Sequence, residues 1–445
     1  MPVAPGAAVV IAGWRCAVCG TTVDIAEPCA WRCPKASTDD PYHVLHLLDV
    51  DASVILNDPA SGPGAGGQLP DTDDPLADSF ADSTADSTAD EGINPFHRYG
   101  PRLAWWVFAQ ANGLSVEACR ELTDEVAGDF TVTPFERSDA LSTDVGTGVW
   151  VKDETGNVAG SHKARHLASI LLHLRAAERL RLVSRRPPLA IASCGNAALA
   201  AATLAARVDW PLDVYVPTWM DDAFGDRLVE LGARIHRCER RGDDPPGDPA
   251  MLRFREARDR GAIPFTVQGP ENGYCLDGGR TIGWEMADQA AAADVRLDRV
   301  VVQVGGGAFA ACVGAGLGRS VRLDTVQAEG CAPLSDAWER ATAIDQPQRY
   351  WAQVMRPWTD PRSLADGILD DETYDWIADL RAMVESGGRP IVAAERDIVR
   401  AHELATAAGY HVSPTGSAGL AGVLTIEHDL HVHEHVAIVF SGVAR

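Results

Sequence analysis

From Arg186 onward, short apolar runs alternate with alanine-rich segments of helical period. "RPPLAIAS" reads as a buried strand feeding the helix "NAALAAATLAARV", and "LDVYVP" as a strand ahead of the helical "DRLVELGAR". "RVVVQV" runs through three glycines into the helical "AFAACVGAGLGR". Strands apolar at every position are covered on both faces, so the alternation predicts α/β architecture: parallel sheets with flanking helices. Further upstream, Leu167, Ile170, Leu171 and Leu174 keep the i, i+3, i+4, i+7 spacing, which puts Lys163 in the first turn of an amphipathic helix.

The N-terminal fifth has a different texture. "WRCAVCGTTVDIAEPCAWRCP" sets Cys16 and Cys19 in a C-x2-C pair and Cys29 and Cys33 in a C-x3-C pair. Four thiolates on short turns suit a tetrahedral structural zinc, and four free thiols in a small flap are the alternative. "DTDDPLADSFADSTADSTAD" is acidic, repetitive and nearly devoid of aromatics, so it reads as a solvated linker. The expected organisation is a four-cysteine zinc knuckle over 1–37, an acidic linker over 38–93 and a catalytic unit over 94–445. Within the last, a smaller subdomain of roughly 165–270 is inserted in the larger one.

Composition narrows the function. With 46% hydrophobic and 23% charged residues the chain is ordinary for a globular protein. Its net charge of -24 argues against nucleic acid, because phosphate backbones are bound by clustered Lys and Arg. No apolar run nears the roughly 20 residues that span a bilayer, and the first residues lack a signal peptide's basic stretch. A cytoplasmic protein with neither membrane nor nucleic-acid partner is expected.

Only three lysines occur: Lys35, Lys152 and Lys163. Arginine serves solubility equally well, whereas a deprotonatable amine that condenses with a carbonyl is lysine's own chemistry. A helix N-terminus disfavours an ammonium, which suits a neutral amine at Lys163. Two strand-to-helix loops follow, "ASCGN" at 192–196 and "VGGGAF" at 304–309, and each offers backbone N–H groups to an anion. The second loop also satisfies a dinucleotide pattern through Gly305, Gly307 and Ala310, with Asp324 and Glu329 about 20 residues on. An NAD(P)-dependent Rossmann oxidoreductase is therefore an alternative, although it leaves Lys163 and the first loop without work. A binding module with a zinc flap and no catalysis is another.

Taken in order from Asn94, "TVTPF", "VKDETGNVAGSHKAR", "SCGN", "VGGGAF", "VQAEGCAPL", "SPTGSAGLAGVL" and "VFSGVAR" resemble the pyridoxal-phosphate enzymes of fold type II, the tryptophan-synthase β-like group. The similarity lies closest to threonine synthases and threonine dehydratases. It implies that Lys163 holds pyridoxal 5'-phosphate as a Schiff base and then moves the substrate's α-proton. It also implies that Asn196 bonds the cofactor's phenolic oxygen, that Gly305, Gly306, Gly307 and Ala308 cradle its phosphate, and that Ser441 faces its pyridine nitrogen. Ser193, Cys194, Gly195 and Asn196 would receive the substrate carboxylate, and a homodimer is the family expectation.

A serine opposite the ring nitrogen makes a weaker electron sink than an aspartate and favours loss of a β-leaving group. The expected activity is α,β-elimination on a small hydroxy amino acid, as in serine and threonine dehydratases. Threonine synthase acting on O-phosphohomoserine is the close alternative, with Arg165, Arg280 and Arg362 as candidates to hold the substrate's phosphate. His162 could stack, donate to phosphate or fill space. The acids from Asp366 onward read as helix caps. Glu285 is left as a cation partner or a packing residue.

Overall fold

In the computed structural model, residues 9–37, 39–51, 93–245 and 247–444 are described, and the acidic low-complexity stretch lies outside them. The larger sheet sets side by side, in spatial order, Pro390–Ala393 (β12), Arg322–Ala328 (β11), Arg299–Gln303 (β10), His435–Phe440 (β13), Gly148–Asp153 (β5) and Phe135–Arg137 (β4). All its neighbours are parallel except the edge pair of β4 and β5. The smaller sheet is wholly parallel, in the order Arg234–Cys238 (β8), Leu212–Pro217 (β7), Leu189–Ala192 (β6) and Ile263–Pro264 (β9).

Period-2 geometry explains why the central strands are apolar throughout. In β10, Val300 and Val302 pack into one helical layer, while Val301 points into the opposite layer beside Leu420 and Val423. The smaller sheet is covered likewise: Leu189 and Ile191 join the main core, and Ala190 faces Met251 and Phe254.

The lysine helix, Lys163–Arg179, buries Leu167, Ile170, Leu171 and Leu174 completely. Each such side chain contributes roughly 1.5–3 kcal/mol relative to solvent exposure. Its N-terminus lies at the C-terminal end of β13, where Ser161 and Gly442 form an isolated bridge.

At the N-terminus Val9–Cys16 (β1) pairs antiparallel with Thr22–Asp24 (β2) and with Leu45–Asp51 (β3). The third strand falls in the segment expected to be linker from residue 38. Its apolar positions complete the knuckle's own sheet, so the boundary moves beyond 37. This small sheet docks on the catalytic body: the Trp14 and Tyr274 rings are 4.5 Å apart, and Gly273 donates its N–H to the Trp31 carbonyl. Among the described residues no helix is long and apolar enough to cross a membrane.

Candidate active site around Lys163

Lys163 is the first residue of its helix, and no side chain caps that helix start. The preceding residue is held twice by one carbonyl: His162 N–H donates to the Ser441 oxygen at 3.0 Å, and its Nδ1 lies 3.0 Å from the same atom. The His162 ring stacks on Phe309 at 4.0 Å, and burial drives its pKa well below the usual range. His162 is a neutral brace.

The lysine itself is half-buried. Desolvation lowers its pKa, opposed by the nearby charges of Asp370, Cys194 and Asp366. Three separated stretches therefore meet at one amine: the lysine segment, the Ser193–Asn196 loop and the segment from Asp366 to Asp370. Ser193, Cys194, Gly195 and Asn196 are half-buried as well, so this side of the cleft is open. Asn196 begins its own helix behind Gly195, and its Nδ2 lies 3.0 Å from where a Cβ on Gly442 would stand. Any side chain at Gly442 would push against that amide.

The triglycine loop forms the floor. Gly307 has φ +99 and turns the chain into the helix Ala308–Leu317. A Cβ on Gly305 would stand 2.5 Å from Asp370 Oδ2. The charged form of Asp370 is favoured by Lys163 and by the Gly306 amide, yet burial still pushes its pKa up to about 6. A carboxylate thus already sits at the anion-binding amides, opposite the amine.

As expected, acids stand at a helix start: Asp375 is at the N-cap position of the helix Trp376–Ser386 and Asp379 is in its first turn, but the Asp375 side chain makes no capping bond. Asp375 accepts from Gly269 N–H at 3.0 Å, and burial raises its pKa to about 7. Asp379 is buried under Gly307, and that burial drives its pKa well above the usual carboxylate range. Thr415 joins this segment to the "SPTG" turn, accepting from Gly367 N–H at 2.9 Å and donating to Asp366 at 3.2 Å.

Ser441 stands at the end of β13, and its Oγ accepts from Gln303 Nε2 at 2.7 Å. Gln303 is a site residue that pattern reading passes over. Its only signal is one polar residue ending an otherwise apolar strand, "RVVVQV".

At the start of the lysine helix, and including its own Arg165, lies a fully buried ionic cluster. Lys152 donates to Glu285 at 2.6 Å, and Arg165 donates to Glu154 at 2.9 Å and to Glu285 at 2.5 Å. Lys152 also reaches the Thr133 carbonyl at 2.7 Å, so the "TVTPF" segment is tied in. Two cations and two anions cancel, as burial demands. Glu285 is the hub, since it pairs with both cations.

These pairings overturn two expectations. Arg165 is wholly engaged, Arg280 pairs with buried Asp277, and the Arg362 side chain is 80% exposed beside Asp360. Arg165 and Arg280 are thus spent on buried carboxylates, and Arg362 alone of the three is exposed to solvent. Of the two acids offered for a dinucleotide ribose, Asp324 is fully buried against Arg299, and Glu329 accepts from the Glu395 N–H at 2.9 Å.

The cysteine expectation also needs correction. The ligand atoms of Cys16, Cys19, Cys33 and His43 all lie within 4.8 Å of one another, and Cys29 is not among them. Cys29 adopts φ +56 and instead donates its backbone N–H to His173 Nε2 on the lysine helix at 3.0 Å. A broad groove runs between the turn Cys16–Gly20 and the helices Ala308–Leu317 and Trp376–Ser386, but it is lined by none of Lys163, Asn196 and Gly305–Gly307.

The chain is 27% identical to a threonine synthase from Methanosarcina acetivorans over 305 residues, covering 65% of this chain and 68% of that protein. It is 24% identical to the biosynthetic L-threonine dehydratase IlvA of Escherichia coli, covering 61% of this chain and 54% of that protein. The structure of a threonine deaminase from T.th. superposes with a TM-score of 0.59 at 22% identity, covering 75% of this chain and 99% of that one. At such identity the structural likeness establishes the fold rather than the reaction. Residues 126–442 match the PALP family, described as pyridoxal-phosphate dependent enzyme, and the chain belongs to that family.

Proposed function

We propose that the protein is a pyridoxal-phosphate-dependent lyase that removes a β-leaving group from a small hydroxy amino acid, in the manner of the serine and threonine dehydratases. The observation that carries this reading is Lys163: a desolvated amine at an uncapped helix start, facing an anion-binding glycine loop. The residues fit the cofactor. Asp370 at the Gly306 amide is a stand-in for an anionic group in the cradle, and Gly305 would lose that approach with any side chain.

In this reading Gly305, Gly306, Gly307 and Ala308 hold the phosphate, Lys163 the carbonyl carbon, Asn196 the phenolic oxygen and Ser441 the ring nitrogen. Bound there, pyridoxal phosphate withdraws electrons from the substrate's α-carbon. The chain's own residues do the rest. Lys163, its pKa lowered by burial, takes the α-proton at Nζ. The Ser193–Asn196 loop orients the substrate carboxylate through the amides at its helix end, since the Ser193 N–H is already donated to the Tyr215 carbonyl. Ser441 Oγ, its acceptor side filled by Gln303, has its proton free for the ring nitrogen.

Threonine synthase is the weaker reading, because Arg165, Arg280 and Arg362 are all committed elsewhere or far out in solvent.

The test is reconstitution with pyridoxal phosphate, borohydride reduction and peptide mapping, followed by assay of L-serine, L-threonine and O-phosphohomoserine. The expected result is an adduct on Lys163, with ammonia and a 2-oxo acid released from a hydroxy amino acid. An adduct elsewhere would overturn the site. Phosphate release from O-phosphohomoserine alone would overturn the reaction.

A further inference from the structure

We propose that the N-terminal knuckle holds one structural zinc ion through Cys16, Cys19, Cys33 and His43, and that this ion braces the lysine helix from behind. The ligand set differs from the four-cysteine pattern that spacing suggests.

The distances suit a metal. Cys19 Sγ and Cys33 Sγ are 3.6 Å apart, and Cys16 Sγ lies 3.3 Å from His43 Nδ1. A tetrahedral ion with Zn–S near 2.3 Å and Zn–N near 2.0 Å has ligand–ligand edges of about 3.5–3.8 Å. A disulfide would need about 2.05 Å, and all four cysteines of the segment are free thiols. Cys16, Cys33 and His43 are buried, so the cluster lies within the fold.

The histidine is prepared for this role. Its Nε2 lies 3.1 Å from Asp40 Oδ2, a carboxylate placed to accept the Nε2 proton. That contact fixes the tautomer and leaves the Nδ1 lone pair directed at the thiols, as outer carboxylates do for metal-bound imidazoles. Three thiolates and an imidazole select zinc among divalent ions, and four protein ligands leave no open position for chemistry.

The elements that the ion would join explain its purpose. Cys16 ends β1, Cys19 lies in the turn, Cys33 closes the loop carrying Cys29 and Trp31, and His43 leads into β3. Cys29 donates its backbone N–H to His173, and the Trp31 ring stands edge-on to His173 at 5.2 Å and to Tyr274 at 5.5 Å. Arg32 adds a bond from Nε to the Pro270 carbonyl at 3.1 Å. The loop that packs on the lysine helix is thus closed on one side by Cys33. Zinc would hold it without touching the active site.

The experiment uses the full chain, purified under reducing conditions. Elemental analysis is expected to find equimolar zinc. Cys29→Ser should retain it, whereas Cys33→Ser and His43→Ala should lose most of it. On the unaltered protein, native alkylation should spare Cys16, Cys19 and Cys33 until a chelator is added, and Cys29 should gain no chelator-dependent reactivity. Chelation should also lower the melting temperature of the cofactor-free protein. Protein that carries no zinc and takes up neither zinc nor cobalt(II) would overturn the proposal. So would a Cys29→Ser variant that loses the metal while His43→Ala keeps it. None of these readouts depends on catalysis.

Discussion

Gln303 Nε2 donates to Ser441 Oγ at 2.7 Å, and the same nitrogen reaches the carbonyls of Gly416 at 2.9 Å and Val439 at 3.2 Å. One buried amide therefore binds the end of β10, the end of β13 and the helix Pro414–Thr425. Gln303→Leu orphans those carbonyls, and the expected destabilisation is about 1–3 kcal/mol in urea unfolding. Ser441→Ala should leave the fold nearly unchanged while weakening pyridoxal phosphate binding. Equal cofactor affinity in the wild type and Ser441→Ala would remove Ser441 from the site.

Lys163→Ala should abolish the borohydride-reducible adduct and lower turnover by roughly 10^2–10^4-fold. The variant should still fold, because Lys163 lies at a helix end and outside the buried ionic cluster. Retained turnover without an adduct would show that another group moves the proton.

Asp370 raises the pKa of Lys163, alongside Cys194 and Asp366, against the lowering by desolvation. Covalent attachment of the cofactor requires the neutral amine. Asp370→Asn removes one stabiliser of the ammonium, so the pH midpoint for attachment should move down. A visible-absorbance titration measures this, and a midpoint that rises would contradict the assignment.

Burial holds Asp370 at about 6, and Glu372 and Asp375 at about 7, all above the values near 4 of an unfolded chain. A raised folded value means that the native state binds these protons more tightly. Their contribution to stability is complete below about pH 4 and is lost as pH rises through 6 to 7. The cofactor-free protein should therefore melt lower at pH 8 than these groups would allow at pH 5. Asp375→Asn should flatten that slope, with a gain on the order of 2–4 kcal/mol at pH 8. Calorimetry of the two proteins at both pH values checks it, and an unchanged slope would count against a buried charge.

Glu285→Ala leaves Lys152 and Arg165 with one carboxylate between them, and the expected cost is roughly 3–5 kcal/mol. Because no member of the cluster is among the charges that act on Lys163, the KM of the folded fraction should stay the same. A shift in KM without loss of stability would place Glu285 in the substrate site.

Much of the architecture was legible because local rules and tertiary demand agree. Runs such as the three valines of "RVVVQV" are explained by cover on both faces, and the structure supplies it. The rarity of lysine drew attention to Lys163, where an amine's chemistry differs from that of arginine. Less legible were the residues whose work depends on what they face. Gln303, Asp370 and Glu285 look alike in sequence as polar residues near apolar neighbours. One orients a serine, one fills an anion cradle and one neutralises two buried cations.

The sequence by itself determined the α/β layering and the order of the loops, and it singled out Lys163 as the candidate amine, because periodicity and side-chain chemistry are written locally. Only the tertiary structure decided that His43 and not Cys29 completes the thiol cluster, and that Arg165 is consumed by Glu154 and Glu285. The reason is physical. Spacing limits which residues can meet along a turn, but a partner from a distant segment is selected by packing, and packing is settled only when the whole chain has found its place.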